Sequence, residues 1–299
     1  MKLFFKRLGI FMVIIICFVT GMIISTKYFD LAHFPFKQES VHVLILGDSH
    51  TQCGIDDALL PHSLNLSESA DTYFYSYVKL KRMFKANPQI DTLILGYADF
   101  NITDNQDRWL RSENINSFKL PIYFFLFDQD DFSDFIKINP TQLLEFSGTI
   151  FKRNFSHLYR IFAKEKINKF GIGGFLALEK QMENKEKSVN NKNINTTWKQ
   201  SEIDILYLKK INDLCTTKNV KLILIATPTQ NHSISGQNSK QVAFRNSHLK
   251  EAAYIDFSGY PLKNDNFADN SHLNAKGAAH FTVALKRVII NHNKQVIQR

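Results

Sequence analysis

Four apolar, β-branched runs alternating with helix-periodic sequence constrain this chain more than any other feature. VHVLILG (41–47), DTLILG (91–96), KLILIATP (221–228, ended by Pro228) and AAYIDFS (252–258) read as buried strands. SLNL (63–66) is a candidate fifth strand. A helix starts near Thr51 and stops before Pro61. Another covers 72–87, where Tyr73, Tyr77, Leu80 and Phe84 share one face before Asn87 and Pro88 end it. Helices are also expected at 200–218, ahead of 252, and from about Asn274 to Asn291. This alternation predicts an α/β domain with a mainly parallel sheet and helices on both faces. In such sheets ligands bind beyond the carboxyl ends of the strands.

Ahead of the first strand, Leu8 to Thr26 (LGIFMVIIICFVTGMIIST) is a run of 19 residues without a charge. That is just long enough to cross a hydrocarbon core as a helix. Lys2, Lys6 and Arg7 precede it, and Lys27 is the one basic residue close behind. The positive-inside rule puts the N-terminus in the cytoplasm and the rest outside, periplasmic or extracellular. A cleavable signal peptide is the rival reading, but no A-x-A-like site follows, and Ile16 before Cys17 does not suit lipoprotein processing. Both readings export the domain. The expected organisation is a cytoplasmic end (1–7), a transmembrane helix (8–26), a linker (27–40) and the α/β domain (41–299).

From about 105 to 200 the alternation breaks, and the region reads as an insertion covering one end of the sheet. TQLLEFSGTIFKRNFSHLYRIF (141–162) is helix-periodic, with Leu144, Phe151, Phe155, Leu158 and Phe162 on one face; ENKEKSVNNKNINTT (183–197) reads as a polar loop. IYFFLF (122–127) reads as a buried helix or strand, with a membrane-dipping or acyl-binding segment as the sharper alternative.

The net charge of +9 suits either anionic lipid headgroups and acidic glycans or a merely solvated basic surface. No nucleic-acid-binding signature accompanies it. Of three cysteines, Cys17 lies in the apolar run, which leaves Cys53 and Cys215 as free buried thiols or a disulfide. No Cys/His cluster has metal-ligand spacing, and no cofactor is expected.

Chemistry enters at two strand and helix ends. The first strand runs into Gly47-Asp48-Ser49-His50, so Ser49 stands at a strand–helix turn with its own N–H available to a developing oxyanion. Far along the chain, FADNSHLNAKGAAHFT (267–282) places Asp269 and His272 three residues apart before the last helix. On a tight turn that spacing lets a carboxylate orient an imidazole. Each motif alone also fits a helix cap or an exposed loop.

Serine after the first strand together with D-x-x-H before the last helix resembles the SGNH (GDSL-like) hydrolase superfamily over roughly residues 41–290, without the insertion. The resemblance implies a flavodoxin-like three-layer α/β/α fold with a five-stranded sheet. It also implies Ser49 as nucleophile, His272 as general base and acid, and Asp269 as the orienting carboxylate. The family's glycine after the second strand is absent from Asn65-Leu66-Ser67-Glu68-Ser69-Ala70, where the Ser67 N–H is the candidate substitute donor. Ala98 stands where the family has an oxyanion asparagine, and nearby Asn101 is the candidate replacement. The plan is similar to exported envelope proteins of polysaccharide O-acetylation, which pair with a membrane-bound O-acyltransferase. It implies an esterase or O-acyltransferase acting on envelope glycans. The alternative is an inactive glycan-binding or scaffold module.

Other features have plainer readings. His50 reads as a solvent-facing helix-start histidine, with substrate contact as the sharper alternative, Gly171–Gly174 as a turn, and Asp56 and Asp57 as first-turn helix charges. The five N-x-S/T sequons, at Asn65, Asn101, Asn154, Asn195 and Asn231, are about what an Asn-rich chain yields by chance.

Overall fold

The computed structural model describes residues 1–163, 171–182, 199–230 and 239–297. These form two compact units, one of residues 1–35 and 111–171, the other of residues 36–110 and 172–299.

The larger unit is the α/β domain. Its strands are β1 (Val43–Leu46), β2 (Ser63–Asn65), β3 (Thr92–Gly96), β4 (Lys221–Ala226) and β5 (Ala253–Asp256). They form one parallel sheet in the order β2-β1-β3-β4-β5. This is the flavodoxin-like order, with its topological switch point between β1 and β3. The helices of the unit are α2 (Ser49–Gly54), α3 (Tyr73–Ala86), α8 (Glu202–Thr217), α9 (Ser239–His248) and α10 (Ala275–Ile297), with α4 (Asp104–Arg111) at its boundary. The central strands read as unbroken apolar runs because both faces are covered. Ile45, Ile94, Ile223 and Ile225 point to one face and pack with Phe281, Leu285 and Ile289 of α10. The alternate residues Leu44, Leu93, Leu95, Leu222 and Leu224 are equally buried, and the period of a strand sends them to the opposite face.

The smaller unit is helical: α1 (Lys2–His33), α5 (Glu113–Tyr123), α6 (Gln129–Ile138) and α7 (Leu143–Phe162). Helix α1 has 32 residues, roughly 48 Å at 1.5 Å per residue. It is long and apolar enough to cross a membrane, and most of its side chains before Met22 are exposed. It does not stop at Thr26 but runs through the expected linker to His33. The reason is that its polar last turns have partners. Thr26 Oγ1 bonds Asn154 Oδ1, Lys27 Nζ donates to the Phe127 carbonyl at 2.6 Å, and Asp30, fully buried, takes Arg153 and the His157 imidazole at 2.5 and 2.6 Å. The IYFFLF segment closes α5 and continues as a buried 3-10 turn, Phe124–Leu126, so the plain reading of that run holds. Residues 111–163 of the expected insertion therefore pack with α1. The polar stretch at 183–197 lies outside the described residues.

Residues 172–182 return to the α/β unit as an extended strap held by main-chain groups. Gly174 N–H donates to Ser67 O, Leu176 N–H to Gln52 O and Met182 N–H to Phe267 O, while Ala275 N–H donates to Leu178 O. Gly173, at φ +125°, lies so close to the β2 loop that a Cβ would stand 2.3 Å from the Leu66 carbonyl oxygen. The glycine-rich segment is thus extended, with a single bend at Ile172, rather than a turn, and packing against that loop demands Gly173.

Candidate active site

β1 ends where the chain must turn sharply at the carboxyl edge of the sheet. Gly47 makes the turn at φ +153°, where a Cβ would meet Thr51 Oγ1 at 2.2 Å and the Gly96 backbone at 3.2 Å. Asp48 then caps α2, its Oδ1 accepting from His50 N–H at 2.9 Å and its carbonyl from Gln52 N–H at 2.9 Å. Ser49 is the first residue of α2. No hydrogen bond among the described residues uses its N–H.

The second motif folds as a tight turn between two core anchors, Phe267 and Leu273, which bridge each other and are 2% exposed. Asp269 Oδ1 accepts from Ser271 N–H at 2.7 Å and His272 N–H at 2.9 Å, which fixes the loop around the carboxylate. His272 Nδ1 lies 3.0 Å from Asp269 Oδ2, and Nε2 lies 2.9 Å from Ser49 Oγ. An ionised carboxylate only accepts, so the proton sits on Nδ1 and Nε2 is left to accept from the serine hydroxyl. Burial alone would raise the Asp269 carboxyl, but the Ser271 N–H, the His272 ring and the His272 N–H outweigh it and hold it below the ordinary carboxylate range. The structure thus brings Ser49, His272 and Asp269 into one hydrogen-bonded line although Ser49 and His272 are 223 residues apart.

Of the donor candidates, Asn101 is brought to the site and Ser67 is not made available. Asn101 Nδ2 donates to Asp48 Oδ2 at 2.8 Å and its Oδ1 accepts from Ala98 N–H at 2.7 Å. The amide is therefore pinned beside the Gly47–Ser49 turn with its second N–H uncommitted. The Ser67 N–H is spent on Asn65 Oδ1 at 2.9 Å. The neighbouring N–H groups of Leu66, Glu68 and Ser69 are likewise bonded, to Ile45 O, Gly47 O and Gln52 Oε1. The loop closes through Ala70 at φ +61°, a left-handed position inside the stretch that lacks the expected glycine.

His50 departs from its sequence reading. Its half-buried ring packs against Phe100 and His272, with centroids 4.8 and 5.1 Å away. Burial, ahead of the opposing Asp48 charge, lowers its pKa, and neighbouring His272 adds to the lowering. It walls a small cavity of about 10 Å³ together with Asp48, Asn101, Phe100, Thr227 and Thr229, room for about one water molecule. The sequence signal was its place one residue after Ser49, in the same first turn. A second contributor had no local signal at all. Gln52, one turn after Ser49, accepts from both the N–H and the hydroxyl of Ser69, at 2.8 and 2.7 Å, and so latches the β2 loop to the serine helix.

Cys53 and Cys215 are free buried thiols, each pushed up to about 12 by burial. Asn65 and Asn154, within two of the sequons, are fully buried; Asn195 and Asn231 lie outside the described residues. Among the described residues no three His, Cys, Asp or Glu side chains gather as they would around a metal ion.

Residues 140–294 match a protein-family model, just over half of the chain, and the chain belongs to that family. No curated protein matches the chain. Among the solved structures that match is one from Streptococcus pneumonia, described as that of a supposed platelet activating factor. It is 9% identical, with a TM-score of 0.40, and the match covers 95% of this chain and 98% of that one. A likeness so low carries neither fold nor chemistry from one to the other.

Proposed function

We propose that this chain is a membrane-anchored serine esterase or O-acyltransferase of the SGNH type, working outside the cytoplasm on acylated envelope glycans. The observation that carries the reading is the continuous relay from Ser49 Oγ through the His272 imidazole to Asp269, with separations of 2.9 and 3.0 Å. In this reading His272 Nε2 takes the Ser49 proton as Oγ attacks an ester carbonyl carbon. The oxyanion is met by the Ser49 N–H and the free N–H of the Asn101 amide. The imidazolium, stabilised by Asp269, returns the proton to the departing alkoxide, which leaves as an alcohol. A water molecule or a glycan hydroxyl then attacks the acyl-serine with His272 as base; the first outcome is hydrolysis and the second transfer. A membrane-bound O-acyltransferase is the partner proposed for the second.

A fluorophosphonate probe applied to the full-length protein tests the nucleophile. Labelling of the native chain and none of Ser49→Ala is the expected result. Equal labelling of the two removes Ser49 from the role. The occupied Ser67 N–H and the small cavity walled by Asp48 and His50 favour a second reading, a non-catalytic glycan-binding or scaffold module. It predicts no labelling of either form.

A further inference from the structure

Helix α7 has three distinct sides. Phe146, Ile150, Asn154 and His157 are buried on one of them, and this side carries the bonds to α1 through Thr26 and Asp30. A second stripe repeats at the same spacing, with Phe151, Phe155, Tyr159 and Phe162 standing 40%, 53%, 65% and 78% exposed. The Phe151 and Phe155 rings stack on each other at 6.1 Å. Lys152, Ser156 and Arg160 form the third, exposed side. Four aromatic rings in one exposed row make a contiguous apolar patch of the kind that marks an interaction surface. A helix with an aromatic side flanked by a cationic one suits a water–lipid boundary.

The contacts to α1 identify the occupant. They fall at Thr26 and Asp30, at the end of the uncharged Leu8–Thr26 run and one turn beyond it. They therefore hold α7 at the level where α1 leaves the hydrocarbon, the depth at which aromatic side chains concentrate and Lys and Arg reach headgroup phosphates. We infer that α7 is an interfacial membrane helix whose Phe151/Phe155/Tyr159/Phe162 stripe is buried in the phospholipid bilayer that α1 crosses. The inference rests on α1 being a membrane span. It gives the chain a second membrane contact, supplied by the insertion rather than by the anchor.

Depth-dependent quenching tests it. The full chain, with Trp109→Phe and Trp198→Phe, is reconstituted in phosphatidylcholine/phosphatidylglycerol vesicles bearing one new tryptophan: Phe155→Trp on the stripe, Ser156→Trp on the polar side, or Phe11→Trp in α1. All three positions are exposed, so none disturbs a core. Lipids brominated in the acyl chain are expected to quench Phe155→Trp severalfold more than Ser156→Trp, with aqueous iodide showing the reverse order. Equal iodide quenching of the two overturns the inference. So does shielding of Phe155→Trp from both quenchers, which means that a second copy of the chain covers the stripe. If bromolipid dims Phe11→Trp and not Phe155→Trp, the inference falls while the anchor stands; if it dims neither, both fall.

Discussion

Replacing Lys79 by methionine strips one partner from a fully buried ion pair. The Lys79 ammonium lies on α3 without solvent contact, 2.6 Å from Asp71 Oδ2, which is equally buried. It also donates to the carbonyls of Leu66 and, at 3.3 Å, Ile172. Lys79 thus ties α3 to both ends of the β2 loop and to the start of the strap. Removing one member of such a pair leaves an uncompensated buried charge and costs about 3–5 kcal/mol. At about 2–4 °C per kcal/mol for a unit of this size, the melting temperature of Lys79→Met falls by roughly 6–20 °C. Removing both charges is much gentler. Lys79→Met/Asp71→Leu is expected to recover most of the loss, so the double-mutant cycle shows strong coupling. The measurement is the near-ultraviolet circular-dichroism melt of the full chain in detergent for native, both single variants and the double. A single variant melting within about 2 °C of native, or strictly additive losses, refutes the reasoning.

Two further expectations concern the site and its support. Asn101→Ala removes the pinned amide and is expected to slow fluorophosphonate labelling of Ser49 by about 10²–10³-fold; a change under about threefold excludes the amide as an oxyanion donor. Asp204, which accepts from Tyr73 N–H at 3.1 Å, is pushed up to about 7, first by burial and further by the Asp107 charge. Its folded form binds the proton more tightly than its unfolded form. The stability this gives is complete below the ordinary carboxylate range near ~3.9 and is lost as pH rises through about 7. Asp204→Asn keeps the acceptor and escapes the loss, on the order of 4 kcal/mol over that window, so its melting-temperature advantage over native should widen from about pH 5 to pH 8. A pH-independent difference refutes the assignment.

Local chemistry explains what the sequence disclosed. The central strands were legible because a parallel sheet buried on both faces leaves unbroken apolar runs. Ser49, Asp269 and His272 were legible because each motif is a short turn beside such an element. Ser67 misled because an N–H looks available until its acceptor is known, and Asn65 supplies that acceptor from two residues away. The end of α1 misled for a longer-range reason. Thr26, Lys27 and Asp30 look like the start of an aqueous linker, and their partners lie about 100 residues or more further on, at Phe127, Arg153, Asn154 and His157. The Asp48–Asn101 and Gln52–Ser69 bonds were invisible in the same way, since polar residues in loops announce no partner.

The strap at 172–182 has a consequence for the order in which the chain matures. Its main-chain bonds reach the β2 loop, the serine helix and the start of the last helix, so three segments distant in sequence must converge before it can dock. Such non-local closures form late and slowly. The Ser49–His272 pair needs the same convergence, across 223 residues. Synthesis therefore delivers Ser49 long before it delivers the imidazole that Ser49 bonds. A chain truncated before residue 269 would keep all five strands yet lack the Asp269–His272 turn that meets Ser49.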